Sequence, residues 1–258
     1  MTVFFTDLDN TLIYSYHHPL GQEKICVEIY QGREVSFVTE KTWELLKQVR
    51  QKTLFIPVTT RTQEQYGRID LKIETPVYAL VCNGGVLLKE GKEVEEWYQE
   101  SLALIGDSRD VMENAQLLME QDENRSFEVR NIRDLFLFTK SSAPRESAEY
   151  LRERLDTKLV GIYQNGVKVY VVPRRLNKGQ AARRLLESLR RAGESAELVL
   201  AAGDSEFDIP MLESAGLAFA PESLKRTHRL SENVAVGKEE QVFSEFVLEQ
   251  VIGSLNID

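Results

Sequence analysis

Cysteine and histidine are scarce in this 258-residue chain, with two of the first and three of the second. Cys26 and Cys82 lie far apart, which excludes a dense disulfide framework, and no His/Cys spacing suits a zinc site. Long apolar runs are absent too. None approaches the roughly 20 residues that a bilayer span needs, so no membrane partner is expected. Basic residues are the minority, 32 Lys and Arg against 41 Asp and Glu, for a net charge of -9. That balance argues against a nucleic-acid footprint and for a chain that stays in solution. There is no repeat, no low-complexity tract and no signal-peptide pattern, so a reducing cytoplasm is the expected location. What remains is a chain long enough to bury a substantial core, as one large domain or two unequal ones.

Against these absences stands a regular alternation of short apolar runs with amphipathic stretches. Val3-Phe4-Phe5 reads as a buried strand that runs straight into Thr6-Asp7-Leu8-Asp9-Asn10-Thr11. Residues 24–38 read as a hairpin, the main part of a flap over 14–38. Ile25, Val27 and Ile29 alternate with polar neighbours, Gln31-Gly32 turns the chain, and Val35 to Val38 return. Thr39 is placed to cap a helix carrying Trp43, Leu46 and Val49. Leu54 to Val58 is a strand ending in Thr59-Thr60-Arg61, and Val77 to Val81 is a further core strand, broken at Asn83-Gly84-Gly85.

The rhythm changes over residues 85–175. Residues 95–123 fit one or two amphipathic helices, Leu135 to Phe138 a strand and Glu146 to Leu155 a helix. Leu159 to Tyr163 and Val167 to Val172 read as strands joined by the hairpin signal Asn165-Gly166. This is an inserted α+β domain. Strand–helix alternation resumes over 176–258, where Leu198 to Ala202 delivers Gly203-Asp204. Residues 1–84 and 176–258 therefore share one mostly parallel sheet with helices on both sides, an α/β core of three layers.

In such a sheet, polar residues just beyond the strands meet at one edge. Asp7 with Asp9, Thr59, Asn83 and Asp204 are the candidates, joined by Lys178 at a helix start. Each alone also fits a chain merely returning to water, and Asp208 before Ile209-Pro210 also fits a helix cap. Three carboxylates in one crevice repel unless a cation or a proton compensates them. Oxygen ligands suit magnesium, which keeps waters and binds phosphate.

In order along the chain, these segments resemble the motifs of the haloacid dehalogenase-like (HAD) superfamily. Asp7-Leu8-Asp9-Asn10-Thr11 resembles the first motif and Thr59 the end of the second. Lys178-Gly179 resembles the third, and Gly203-Asp204-Ser205-Glu206-Phe207-Asp208 the acidic fourth. The insert and Asn83-Gly84-Gly85 are similar to the type IIB, or Cof-like, branch. The wording of the first motif and the Gly-Asp-Ser is similar to sucrose-phosphate phosphatase-like members. Two positions depart from the common pattern: Asn10 replaces a frequent glycine, and Phe207 a frequent asparagine.

The resemblance implies a Rossmann-like core with an α+β cap, and a magnesium-dependent phosphatase acting on a small phosphorylated metabolite, a sugar or polyol phosphate foremost. It implies Asp7 as nucleophile through an aspartyl-phosphate, Asp9 as general acid/base, and Thr59 and Lys178 as further catalytic residues. Thr59, Thr60, Arg61, Asn83, Gly84 and Lys178 are the implied substrate contacts. Asp7, Asp9 (through its backbone carbonyl), Asp204 and Asp208 are the implied metal site. A phosphotransferase or phosphomutase shares the same intermediate, and a non-catalytic metabolite-binding regulator remains the alternative of a different class. Neither a monomer nor a homodimer is indicated.

Overall fold

The first strand, β1 (Thr2–Thr6), buries Val3, Phe4 and Phe5, as a strand covered on both faces must. It opens a chain whose computed structural model describes residues 1–255. Next come β2 (Tyr14–Ser15), β3 (Lys24–Tyr30) and β4 (Arg33–Thr39), an antiparallel sheet in the order β2-β4-β3. Thr39 ends β4 and caps α1 (Glu40–Lys52), its hydroxyl accepting the Thr42 N–H at 2.9 Å. Then follow β5 (Leu54–Pro57), the short α2 (Gln63–Tyr66), and an antiparallel meander of β6 (Tyr78–Val81), β7 (Val86–Lys89) and β8 (Lys92–Glu93).

The flap hairpin departs from strict alternation. Register shifts on both sides of Glu28 mark a β-bulge, and the extra residue turns two successive side chains inward. Val27 and Glu28 are both buried, at 2% and 4% exposure, while Ile29 is 60% exposed. The expectation that Ile25, Val27 and Ile29 share an inner face is thus corrected at Ile29, and a carboxylate takes the inner position.

Residues 94–177 form a compact unit of their own. It contains α3 (Glu95–Leu104), α4 (Arg109–Gln121), β9 (Arg130–Ile132), β10 (Phe136–Lys140), α5 (Pro144–Arg152), β11 (Val160–Asn165) and β12 (Lys168–Pro173). The antiparallel sheet runs β11-β12-β10-β9, and Met119, Leu137, Leu151, Val160 and Val171 are part of its buried core. Gly166 joins β11 to β12 at φ +57, the backbone that a tight hairpin turn asks for. Strand β7 and β8 belong with the other unit, so this unit begins at Val94 rather than at 85.

The remaining elements are α6 (Lys178–Arg191), β13 (Leu198–Ala202), α7 (Ile209–Ser214), β14 (Leu217–Pro221), α8 (Glu222–Thr227), β15 (Val234–Gly237) and α9 (Phe243–Ser254). With residues 1–93 they make the first unit. Its central sheet is parallel throughout, in the order β15-β14-β13-β1-β5. Phe4, Phe55, Leu200 and Phe219 from the sheet pack with Leu46 and Val49 of α1 and Val247 and Val251 of α9. Strand β6 lies beside β5, joined by a parallel bridge from Val58 to Leu80. Because β5, β1 and β13 run the same way, their C-terminal ends open on one edge. Among the described residues no helix is long and apolar enough to cross a membrane.

Candidate active site

At the end of β1 the chain stays in register for one more residue: the Asp7 N–H donates to the Ala202 carbonyl at 2.9 Å. It then coils tightly, with the N–H groups of Leu12 and Ile13 both reaching the Leu8 carbonyl at 2.9 Å. Asn10 enables this turn at φ +58, a left-handed backbone that asparagine tolerates better than most residues. The position that glycine often fills in the resembling motif thus has a conformational requirement, which asparagine meets.

The turn holds Asp7 beside residues far along the sequence. Lys178, at the start of α6, is 1% exposed, and its ammonium donates to Asp7 Oδ1 at 2.6 Å and to Asp208 Oδ1 at 2.5 Å. Burial works against the Lys178 charge, but Asp208 and Asp7 overcome it and hold the amine above its usual range. Asp208 is fully buried, and its second oxygen accepts from the Asp204 N–H at 3.1 Å, the Ser205 N–H at 2.9 Å and the Ser205 hydroxyl at 2.7 Å. Both of its oxygens are therefore committed, one to Lys178 and one to the loop after β13.

Asp7, Asp204 and Asp208 each offer a carboxylate oxygen within 4.8 Å of the others. Burial pushes the Asp7 carboxyl up to about 7; Lys178 pulls against that rise, and Asp208 and Asp9 add to it. Asp204 is also raised, by burial first and then by Asp7 and Asp208. Carboxylates so placed favour a proton or a cation among them. The donor set is all oxygen, with no cysteine or histidine in the cluster, which fits a hard divalent ion.

Asp9 lies on a different partner. Its Oδ2 accepts from Arg61 Nε at 2.7 Å and its Oδ1 from Arg61 Nη2 at 2.7 Å, a bidentate pair. Arg61 Nη1 meets Glu28 Oε1 at 2.9 Å. Burial opposes the Arg61 charge, and the two carboxylates more than restore it. Arg61, expected as a substrate contact, joins Asp9 to the flap.

Thr59 is fully buried just past β5. Its hydroxyl accepts the Arg61 N–H at 3.1 Å, and its carbonyl accepts the Asn83 N–H at 2.9 Å. Thr60 is half-buried between them. Cys82, Asn83 and Gly84 are successive left-handed residues at φ +52, +58 and +87. Two of them are not glycine, and backbone of this kind concentrates at functional sites. Asn83 and Gly84, expected near the substrate, thus form a turn fastened to the segment around Thr59 and Arg61.

Several motif residues to which the sequence assigned no role have one in the structure. Thr11 donates its hydroxyl to Asp204 Oδ1 at 3.3 Å. Ser205 supports Asp208, a role its place in the acidic motif hinted at. Gly203 and Gly179 are needed for close approach: a Cβ would run into the Asp208 side chain at the first and the Pro210 carbonyl at the second. Phe207 is 7% exposed, so it is turned away from water. Nothing in the local sequence marks Glu28. His17 and His18 are exposed.

Comparison with known proteins adds the following. The family model described as sucrose-6F-phosphate phosphohydrolase matches residues 1–220. The sucrose-phosphatase of Synechocystis sp. PCC6803, solved with sucrose and phosphate, is similar over 99% of this chain and 98% of its own, at 16% identity and TM-score 0.64. A haloacid dehalogenase-like hydrolase from B. subtilis is similar over 98% and 99%, at 16% identity and TM-score 0.57. The trehalose-6-phosphate phosphatase of Aspergillus fumigatus is similar over 99% and 91%, at 17% identity and TM-score 0.50. At these identities the solved structures establish the shared fold. Among curated proteins none matches.

Proposed function

The chain belongs to the sucrose-6F-phosphate phosphohydrolase family, in the Cof-like branch of the HAD superfamily, and on that premise we propose that this HAD-type phosphatase hydrolyses a small sugar phosphate with magnesium, through an aspartyl-phosphate on Asp7. The observation that carries the reading is the cluster at the ends of β1 and β13. A buried lysine bridges two carboxylates there, while a third, Asp204, stands beside them.

Asp7, the carboxylate at the strand end, attacks phosphorus: its Oδ–P bond forms as the bond from phosphorus to the sugar oxygen breaks. Asp9, protonated in the substrate complex, gives that proton to the departing oxygen. Water then attacks the same phosphorus, its proton passes to Asp9, and the Asp7–phosphorus bond breaks. The sum is ester plus water to alcohol plus inorganic phosphate, with both aspartates restored. Lys178 and the Thr59 hydroxyl hold phosphoryl oxygens, one as a compact charge and one as a donor.

Asp7, Asp204 and the backbone carbonyl of Asp9 would hold magnesium, which when bound offsets the charge of carboxylates and phosphate. Asp208, with both oxygens already filled, is better suited to fixing Lys178 and the loop carrying Asp204 than to direct ligation. The sugar preference rests on the family and on the sucrose- and trehalose-phosphate phosphatases that share the fold.

Phosphate release across a panel of sugar, polyol and cofactor phosphates, with and without magnesium and with Asp7→Asn as control, tests the reading. Magnesium-dependent release from sugar phosphates, lost in Asp7→Asn, is the expected result. Phosphate trapped on Asp7 that passes to a sugar but not to water would replace hydrolysis by transfer. Binding without turnover would replace it by a regulator.

A further inference from the structure

Asp9 has to meet a departing oxygen, yet its side chain is 47% exposed and sits on a loop. What holds it is the guanidinium of Arg61, with one N–H to each oxygen. Such a fork is planar and rigid, so fixing its far side fixes the carboxylate. Each Asp9 oxygen keeps a second lone pair for the transferred proton. The far side of Arg61 is Glu28, whose side chain is 3% exposed.

Glu28 is anchored on every side. Its Oε2 accepts from the Ser36 hydroxyl at 2.6 Å, and its Oε1 accepts from Arg68 Nε at 3.2 Å as well as meeting Arg61. Arg68 in turn lies over the Tyr30 ring, 4.4 Å from its centroid. The backbone is held too: Glu28 bridges to Ile69, and the Val27 carbonyl accepts the Asp70 N–H at 2.8 Å. The bulge that turns Glu28 inward costs the hairpin one regular ladder position. A bulge, a buried acid and two arginines are an elaborate way to fill an inner strand position that a valine would fill. A use for the charge accounts for them.

We infer that Glu28 is a positioning residue for proton transfer, fixing the Asp9 carboxylate through Arg61. The inference rests on the role proposed for Asp9. It makes the flap hairpin part of the acid/base apparatus, acting through Arg61.

Leaving-group dependence separates this role from a structural one. Phenyl phosphate has a poor leaving group that needs a proton, and p-nitrophenyl phosphate a good one that hardly does. Asp9→Asn sets the reference pattern, a large fall in kcat/KM on phenyl phosphate and a small one on p-nitrophenyl phosphate; kcat/KM is read because it covers the steps through departure of the alcohol and leaves out the water step, which Asp9 also serves and both substrates share. Glu28→Gln keeps the size of the side chain and is expected to lower kcat/KM on phenyl phosphate by about 10–100-fold, part of what a well-placed acid supplies. On p-nitrophenyl phosphate the fall in kcat/KM is expected to stay under about 3-fold. Glu28→Gln combined with Arg61→Ala should be no worse than Arg61→Ala alone, because both act on one path. Glu28→Asp, which keeps the charge but draws it back, gives the same pattern if the glutamine variant does not fold.

Equal losses of kcat/KM on the two phosphates in Asp9→Asn would refute the role of Asp9 as acid to the departing oxygen, and this inference with it. With the Asp9→Asn pattern as expected, three results would overturn the inference alone. They are an unchanged Glu28→Gln, equal losses on both phosphates, and full additivity with Arg61→Ala.

Discussion

Lys178→Met is the perturbation whose size follows most directly from the structure. The methionine retains the unbranched stem, so little cavity opens and the change is one of charge. Lys178 is 1% exposed and joins Asp7 at 2.6 Å and Asp208 at 2.5 Å. Breaking a buried ion pair by removing one partner costs about 3–5 kcal/mol, because the remaining charge stays buried and uncompensated. Asp208 keeps its bonds from Asp204 and Ser205, so most of the loss falls on Asp7. Urea unfolding at pH 7.5 without magnesium should read that loss, equivalent to a melting shift of roughly 6–20 °C for a chain of this size. The sign with pH is fixed. Without the ammonium, the buried carboxylates take up protons more readily in the folded than in the unfolded chain. The deficit is therefore largest at alkaline pH and shrinks as acid neutralises them. Magnesium at about 100 times its dissociation constant adds roughly 2.7 kcal/mol through binding, so the ion should recover part of the loss. A deficit below about 1 kcal/mol, or one unchanged between pH 7.5 and 5, would refute the electrostatic reasoning.

Asp7→Asn abolishes phosphate release and leaves no trapped phosphate on the chain, measured by rapid quench with labelled substrate. Burial raises Asp7 from 3.8 to about 7 in the fold. Its contribution to the stability of the metal-free protein is thus full below the unfolded value and lost as pH rises through the folded one. Asp7→Asn should accordingly gain on the parent between pH 5 and 8 in thermal melts without metal, and a gap independent of pH would contradict the shift. Asp204→Ala weakens magnesium binding by calorimetry and lowers turnover while far-UV circular dichroism stays the same; unaltered affinity would remove it from the metal site. Gly179→Ala forces α6 away from the Pro210 carbonyl and is expected to cost about 1–3 kcal/mol in denaturant unfolding, the usual penalty for overpacking. A neutral result would show that the two helices can separate freely.

The polar strand ends were legible because their signals are local. An apolar run that stops at Asp7, another that stops at Thr59 and a third that stops at Gly203-Asp204 each say where a strand delivers a polar group. Parallel order then brings those groups to one edge, since strands joined by helices run the same way. The break at Asn83-Gly84 was equally readable from residues that accept a left-handed backbone.

The partners were not legible, because they depend on contacts between distant parts of the chain. Lys178 and Asp7 are 171 residues apart and Arg61 and Asp9 are 52 apart; no window of sequence says which carboxylate an arginine will find. Alternation placed Ile29 inside and Glu28 outside, and one bulged residue reversed them. Sequence alone determined that carboxylates, a threonine and a lysine gather at the strand ends of an α/β core. Only the tertiary structure decided that Asp208 spends both oxygens on Lys178 and its own loop, and that Asp9 is held through Arg61 from a buried glutamate. The physical reason is that a strand and the polar group at its end are written in consecutive residues, whereas the pairing of a buried charge is set by whatever the fold packs against it.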